Sequence, residues 1–139
     1  MNEQERHDKL IDSLVKEDMR YPADAYLFVE EAVPFAVKDN MKNTALRGSR
    51  HVTGQELVMS MVKLLLQKYG PMALDVLQLW NIHKTQDFGN LVYRLVKVKL
   101  LGVSPEDSPA DFVDVVDLKE ALNRPFVSDK PMPEIPRII

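Results

Sequence analysis

Apolar residues recur at intervals of three and four along most of the chain, the period of an α-helix with one buried face. The first such run covers about residues 3–16, where Leu10, Ile11, Leu14 and Val15 share a face. A second follows Pro22, which suits a first helical turn because its missing N–H has no intrahelical partner to lose there. Ala25, Phe28, Val29, Ala32, Val33, Ala36 and Val37 form its stripe. Pro34, inside that stripe, predicts a kink or a break. Residues 38–50, KDNMKNTALRGSR, carry no stripe and read as a connector.

The third helix is announced by its start. In VTGQEL, Thr53 and Glu56 have the spacing of a capping box, with Val52 and Leu57 as the apolar staple around it. Leu57, Met61, Leu64 and Leu65 make its buried face, and Gly70 is placed to end it. Pro71 opens a fourth helix with Ala73, Val76, Leu77 and Trp80 on one side and Asn81 as its stop. A fifth has Thr85 as its N-cap, Asp87 in its first turn, and Phe88, Leu91, Val92, Leu95 and Val96 at helical spacing, with Gly102 closing it. Gly89 inside this helix costs up to about 1 kcal/mol relative to Ala. That points to close approach of another backbone, that of the fourth helix.

Beyond it, Val113, Val115 and Val116 suit a strand that pairs with residues 100–103. Asp117 and Glu120 then start a last short helix through Leu122. The expected fold class is therefore mainly α: a helical domain with a winged-helix-like core of three helices plus a short β-hairpin, and an N-terminal two-helix extension. A plain helical bundle with an irregular acidic loop is the competing architecture. Residues 1–126 form the domain. Residues 127–139 form an extended tail, stiffened by prolines, with Phe126, Ile135, Ile138 and Ile139 as apolar anchors.

Composition narrows the chemistry. The 139 residues are 45% hydrophobic and 28% charged, which suits one domain with a core of its own. There is no cysteine, so disulfides and thiolate zinc sites are excluded. No apolar run approaches the roughly 20 residues that span a bilayer. The first ten residues lack the apolar stretch of a signal peptide, and the expectation is a cytoplasmic protein.

The net charge of −3 hides two local excesses. Residues 38–50 hold Lys38, Lys42, Arg47 and Arg50 against Asp39, a balance of +3. Residues 102–120 hold six acids, Glu106 and Asp107 among them, against Lys119, a balance of −5.

Asp87-Phe88-Gly89 has the letters of the magnesium-binding motif of protein kinases. Here it lacks the Gly-rich loop, the strand lysine and the catalytic loop that give the motif its chemistry. His7, His51 and His83 stand in separate segments, none with a second ligand at metal-binding spacing. Ser49 lacks the Gly-x-Ser-x-Gly setting of a nucleophile elbow. No catalytic, cofactor or metal residue is assigned.

Two partner-binding readings remain. Asn90, Arg94 and Lys97 share one face of the fifth helix, as a winged-helix nucleic-acid reader would need. An acidic wing opposes that reading, because wings meet phosphate and phosphate contacts supply most non-specific affinity. The favoured reading is a non-enzymatic protein-interaction or regulatory module. Arg47, Arg50, Glu106, Asp107, Ile138 and Ile139 are its further contact candidates, and an unknown protein or a homodimer its partner.

The segments RYPADAYLFVEEAV, HVTGQELV, YGPMALDVLQLWNI, TQDFGNLVYRLV, LLGVSPEDSPADF and LNRPF, in this order, resemble an uncharacterised bacterial family largely restricted to planctomycetes and verrucomicrobia. The resemblance covers about residues 9–126, and Val116 departs from the aromatic residue expected there. It implies a single cytoplasmic domain and brings no activity, cofactor or site residue.

Overall fold

A computed structural model of the chain describes residues 2–48 and 51–126. Helix α1 (Glu3–Glu17) begins where the Asn2 side chain accepts the Glu5 N–H at 2.8 Å. Helix α2 (Ala23–Asp39) runs through Pro34 without a break. Pro34 is exposed, so water can meet the Glu30 carbonyl it leaves unbonded.

The expected connector contains a further helix, α3 (Met41–Arg47), ending on Gly48 at φ 70°. It is short and buries only Thr44, so no apolar stripe marks it in the sequence. Helix α4 (Gly54–Tyr69) has the expected capping box. Thr53 Oγ1 accepts the Glu56 N–H at 3.1 Å, and a Glu56 carboxylate oxygen accepts the Thr53 N–H at 2.9 Å.

One 3-10 turn (Gly70–Met72) leads into α5 (Ala73–Leu79). Asn81 stops it as expected, at φ 60°, with its own N–H on the Gln78 carbonyl and that of Ile82 on Leu77.

Helix α6 (Thr85–Lys97) departs from expectation at both ends. Its N-cap is Lys84, not Thr85. Asp87 secures this start by accepting the N–H groups of His83 and Lys84 at 2.8 and 3.1 Å. It ends before Gly102, because Lys99 takes the left-handed conformation at φ 64°. The N–H groups of Lys99 and Leu100 then close on the carbonyls of Val96 and Leu95. Helix α7 (Leu118–Asn123) starts on Asp117, as the sequence indicates, and runs into a turn at Arg124–Phe126.

The expected β-hairpin does not form: among the described residues there is no strand. Residues 100–117 are an irregular segment holding one 3-10 turn, Pro109–Phe112. Its backbone groups are met by a side chain instead of a partner strand. The Thr85 hydroxyl donates to the Phe112 carbonyl at 2.6 Å and accepts the Val115 N–H at 3.2 Å. Thr85 is buried, so these two hydrogen bonds fix both ends of residues 112–115.

The N-terminal helices are not an appendage either. Helix α2 packs most extensively on α4 and also on α6. Its Ala25, Ala32 and Ala36 are fully buried, and such small side chains let neighbours come close. Helix α1 covers α2 through Ile11 and Leu14 and through His7, whose Nε2 lies 2.7 Å from a Glu30 oxygen. Phe126 is half exposed, and the tail at 127–139, with Ile135, Ile138 and Ile139, lies outside the described residues.

What Gly89 accommodates is an aromatic side chain, not the backbone of the fourth helix. A methyl group on Gly89 would lie 2.9 Å from both Cβ and Cγ of Phe112. One on Gly54 would lie 2.8 Å from Asp111 Cβ and 3.2 Å from Phe112 Cε2. Phe112 is 4% exposed and occupies the notch these two glycines leave between α4 and α6.

Two predictions follow from this packing. Helix propensity alone makes Gly89→Ala stabilising by up to about 1 kcal/mol. The clash with Phe112 reverses the sign, to a loss of about 1–3 kcal/mol. In a Phe112→Ala background the loss should vanish. Urea unfolding of the four proteins tests this, and a stabilised Gly89→Ala single variant would refute the notch.

The second concerns His7. Its hydrogen bond to Glu30 raises the imidazole pKa above the ordinary value, against the opposing effect of burial. The contribution is complete below the unfolded value of about 6.5 and fades as pH rises through the higher folded value. The stability difference between wild type and His7→Gln should therefore shrink from about pH 5.5 to about pH 8.5. A difference constant with pH would show that the pair is not ionised as described.

Candidate functional site

With Phe112 in its notch, the acidic segment stands over α2, α4 and α6 without filling all the space beneath it. A cavity of about 180 Å³ remains. Val33 and Val37 of α2 line one side, Leu57 of α4 and Val92 of α6 the base, and Leu101 and Val103 the far wall.

Its polar groups are few. His51 Nε2 lies 3.0 Å from Asp107 Oδ1, while Asp107 Oδ2 accepts the Ser104 N–H at 2.7 Å. Asp111 Oδ2 accepts the Ser108 N–H at 3.0 Å, holding the 3-10 turn that carries Phe112. Tyr93 stands edge-on to Phe112, ring centres 6.3 Å apart. Its hydroxyl oxygen is buried and has no hydrogen-bond partner among the described residues. Burial pushes its pKa up, and the charges of Asp107 and Asp111 add to that.

A second, more open groove lies next to this cavity. Val33, Pro34, Val37, Lys38 and Met41 border it, with Thr44, along the α2–α3 junction. Val33 and Val37 are common to both depressions. Met41 and Leu46 are exposed on α3, at 63% and 88%.

The residues that the sequence singles out on α6 lie elsewhere, against α1 and the turn after it. Asn90 donates to the Tyr21 hydroxyl at 3.1 Å, and that hydroxyl donates to Asp87 at 2.6 Å. Tyr21 is buried, which with the adjacent Asp87 pushes its pKa up to about 12. Arg94 donates to the Tyr26 hydroxyl at 2.9 Å and the Leu14 carbonyl at 3.1 Å, and pairs with Asp18 at 3.6 Å. Lys97 pairs with Glu17 at 2.8 Å. Each of the three has an intramolecular role.

Arg47 donates to Glu56 at 2.8 Å and to the His51 carbonyl at 3.2 Å, bracing the start of α4. Glu106 is exposed beside the cavity, and Asp107 lines it. Arg50, Ile138 and Ile139 lie outside the described residues.

Sequence reasoning missed Tyr93 and Phe112. The available signal was the pair of glycines inside helical segments, Gly54 and Gly89, which mark where a large side chain is received.

Among the described residues no group of three or more His, Asp or Glu side chains is arranged to hold a metal ion. No described helix is long and apolar enough to cross a membrane.

The network at Arg94 predicts a contrast. Arg94→Ala leaves a buried phenol and a carbonyl without their donor and should cost about 2–4 kcal/mol. Lys97→Ala removes an exposed pair and should cost under about 1 kcal/mol. Equal costs in denaturant unfolding would show that Arg94 does not bind the N-terminal helices to α6.

No family model, curated protein or solved structure matches the chain, so the resemblance drawn from its sequence rests on those segments alone.

Proposed function

We propose that the chain is a non-enzymatic protein-interaction module that holds a short apolar segment of a partner protein. The observation carrying this is the pair of apolar depressions, the α2–α3 groove and the cavity under the acidic segment, which share Val33 and Val37 as lining. The exposed Met41 bordering the groove suits such a task, because an unbranched thioether adapts to different surfaces.

Charge defines the partner further. At the α3 end, Lys38 and Lys42 make no ion pair among the described residues. At the other end stand Glu106 and Asp111, also outside any ion pair there. The complementary segment carries its apolar anchors with an acidic residue towards α3 and a basic one towards the acidic segment.

The nucleic-acid reading loses ground on the same structure. A helix docked in a major groove needs its reading face open. Asn90, Arg94 and Lys97 are bonded to the tyrosines and acids of α1, α2 and their turn.

Site-specific photo-crosslinking tests the proposal. A benzophenone side chain in place of Met41 should capture a partner, and one in place of Asp12, exposed on α1, should not. Val37→Asp should abolish the capture while leaving the helical circular dichroism intact. The crosslinked segment, mapped by mass spectrometry, should hold apolar residues beside an acid. Equal capture from both positions, or capture indifferent to Val37→Asp, would overturn the groove as the docking site.

A further inference from the structure

We infer that the groove and the cavity beneath the acidic segment are occupied by this chain's own residues 132–138, docked back onto the domain they extend from. The inference rests on the docking reading and adds an occupant that a partner must displace.

The pattern of that segment comes first. Residues 127–139 lie outside the described residues, and their sequence is VSDKPMPEIPRII. Pro131, Pro133 and Pro136 favour polyproline geometry, which has three residues per turn. In that geometry Met132, Ile135 and Ile138 fall on one face. Glu134 and Arg137 share a second face, one turn or about 9 Å apart. An apolar stripe of this kind has no core of its own to enter. Docking it costs little entropy, because the prolines already hold the backbone extended.

The domain carries the complement. Val33, Pro34, Val37 and Met41 border the groove, and the cavity beside it shares Val33 and Val37. The exposed Gly102 and Val103 line the cavity, so it is open to solvent on their side. An apolar cavity of about 150 Å³ accepts benzene. One of about 180 Å³ therefore has room for the four-carbon side chain of an isoleucine. Lys38 and Lys42 stand at the α3 end, and Glu106 and Asp111 at the other, none in an ion pair among the described residues. Docking with Glu134 towards the lysines and Arg137 towards the acids pairs opposite charges at both ends.

Reach assigns the segment to its own domain. The eight steps from Phe126 to Glu134 span about 25 Å in polyproline geometry. A domain of this size has a radius of gyration of about 14 Å, so the linker is comparable to its width. A short linker holds its segment at an effective concentration in the millimolar range. A second copy matches that only in very concentrated solution.

The test uses the full chain, whose lack of cysteine permits a single spin label. Lys130→Cys and Ile139→Cys carry a nitroxide just outside the apolar stripe. A label at position 130 should erase the amide peaks of Met41 and Lys42 in the 15N-labelled protein. One at position 139 should erase those of Gly102 and Val103. The peak of Asp12 on α1 should survive both. Ile135→Asp combined with Ile138→Asp should restore the lost peaks, and Val37→Asp should restore them from the groove side. In a mixture of 15N chains without the label and unenriched chains with it, all peaks should remain.

Peaks lost in the mixture would assign the segment to a second copy and overturn the intramolecular docking. Peaks that survive both labels, or that the isoleucine substitutions fail to restore, would overturn the inference. Crosslinking keeps it separate from the partner reading. With the tail in the groove, Ile135→Asp combined with Ile138→Asp should increase partner capture from position 41. Capture with no peaks lost would overturn the tail as occupant and leave the partner reading standing. Peaks lost with no capture, even from the tail variant, would overturn the partner reading alone.

Discussion

One steric constraint organises the C-terminal half of this protein: two helices that cross near Phe112 both lack a Cβ where its ring lies. Gly54 and Gly89 leave space that any other residue would occupy, with Phe112 atoms within 3.2 Å of the missing methyl positions. The ring anchors the 3-10 turn at 109–112, and the turn anchors the acidic segment. Thr85, one helical turn before Gly89 on α6, then secures the backbone on both sides of Val113. A segment with five acids between Glu106 and Asp117 would repel itself if it depended on charge. It is held by one aromatic side chain, one buried hydroxyl, its own Asp-capped turns and the contact of Asp107 with His51.

Helix α6 is held from the opposite side by different means. There the contacts are polar: Asp87, Asn90 and Arg94 meet the hydroxyls of Tyr21 and Tyr26. Tyr21 and Tyr26 are both buried, so each hydroxyl must be bonded, and each bond has a defined direction. Apolar packing fixes how deep α2 lies on α6, and these bonds fix where along α6 it lies. The basic residues that make α6 look like a nucleic-acid reader in the sequence pair within the chain, Arg94 largely buried and Lys97 at the surface. Their charges are the complement of Glu17 and Asp18 on and beside α1.

That difference shows what the sequence makes legible. Periodicity and caps are local, and they identify α1, α2, α4, α5 and α7 with starts and stops close to those observed, and α6 with its start off by one residue and its stop five residues early. Thr53 with Glu56, Asn81 and Asp117 need only their neighbours in the chain to be understood. The winged-helix inference failed because it required knowing where backbone groups go over long range. Val115 has strand propensity, but its N–H is taken by Thr85, thirty positions earlier. Nothing in a valine-rich run announces a threonine competing for its backbone. Helix α3 escaped notice for the opposite reason, since a helix that buries one threonine has no stripe to read. The cavity was illegible altogether. It arises from the junction of α2, α4, α6 and residues 101–112, and the basic and acidic residues chosen from charge balance mostly surround it or lie away from it.

The same constraint that anchors the segment accounts for the cavity beside it. A bulky residue in a close-packed core normally fills the space around it, because voids forfeit dispersion contacts on every wall. Phe112 sits in the notch that its two glycines leave, and the rest of the cavity is lined mainly by smaller aliphatic residues, Val33, Leu57, Val92 and Leu101 among them, together with Tyr93, His51 and Asp107. Collapse of the void would require moving Phe112 out of the notch or α2 off α6, where the tyrosine bonds hold it. The opening is therefore sustained by two rigid attachments on opposite sides of α6. Both attachments run through α6: Thr85 and Gly89 hold the acidic segment, and Asn90 and Arg94 hold the tyrosines.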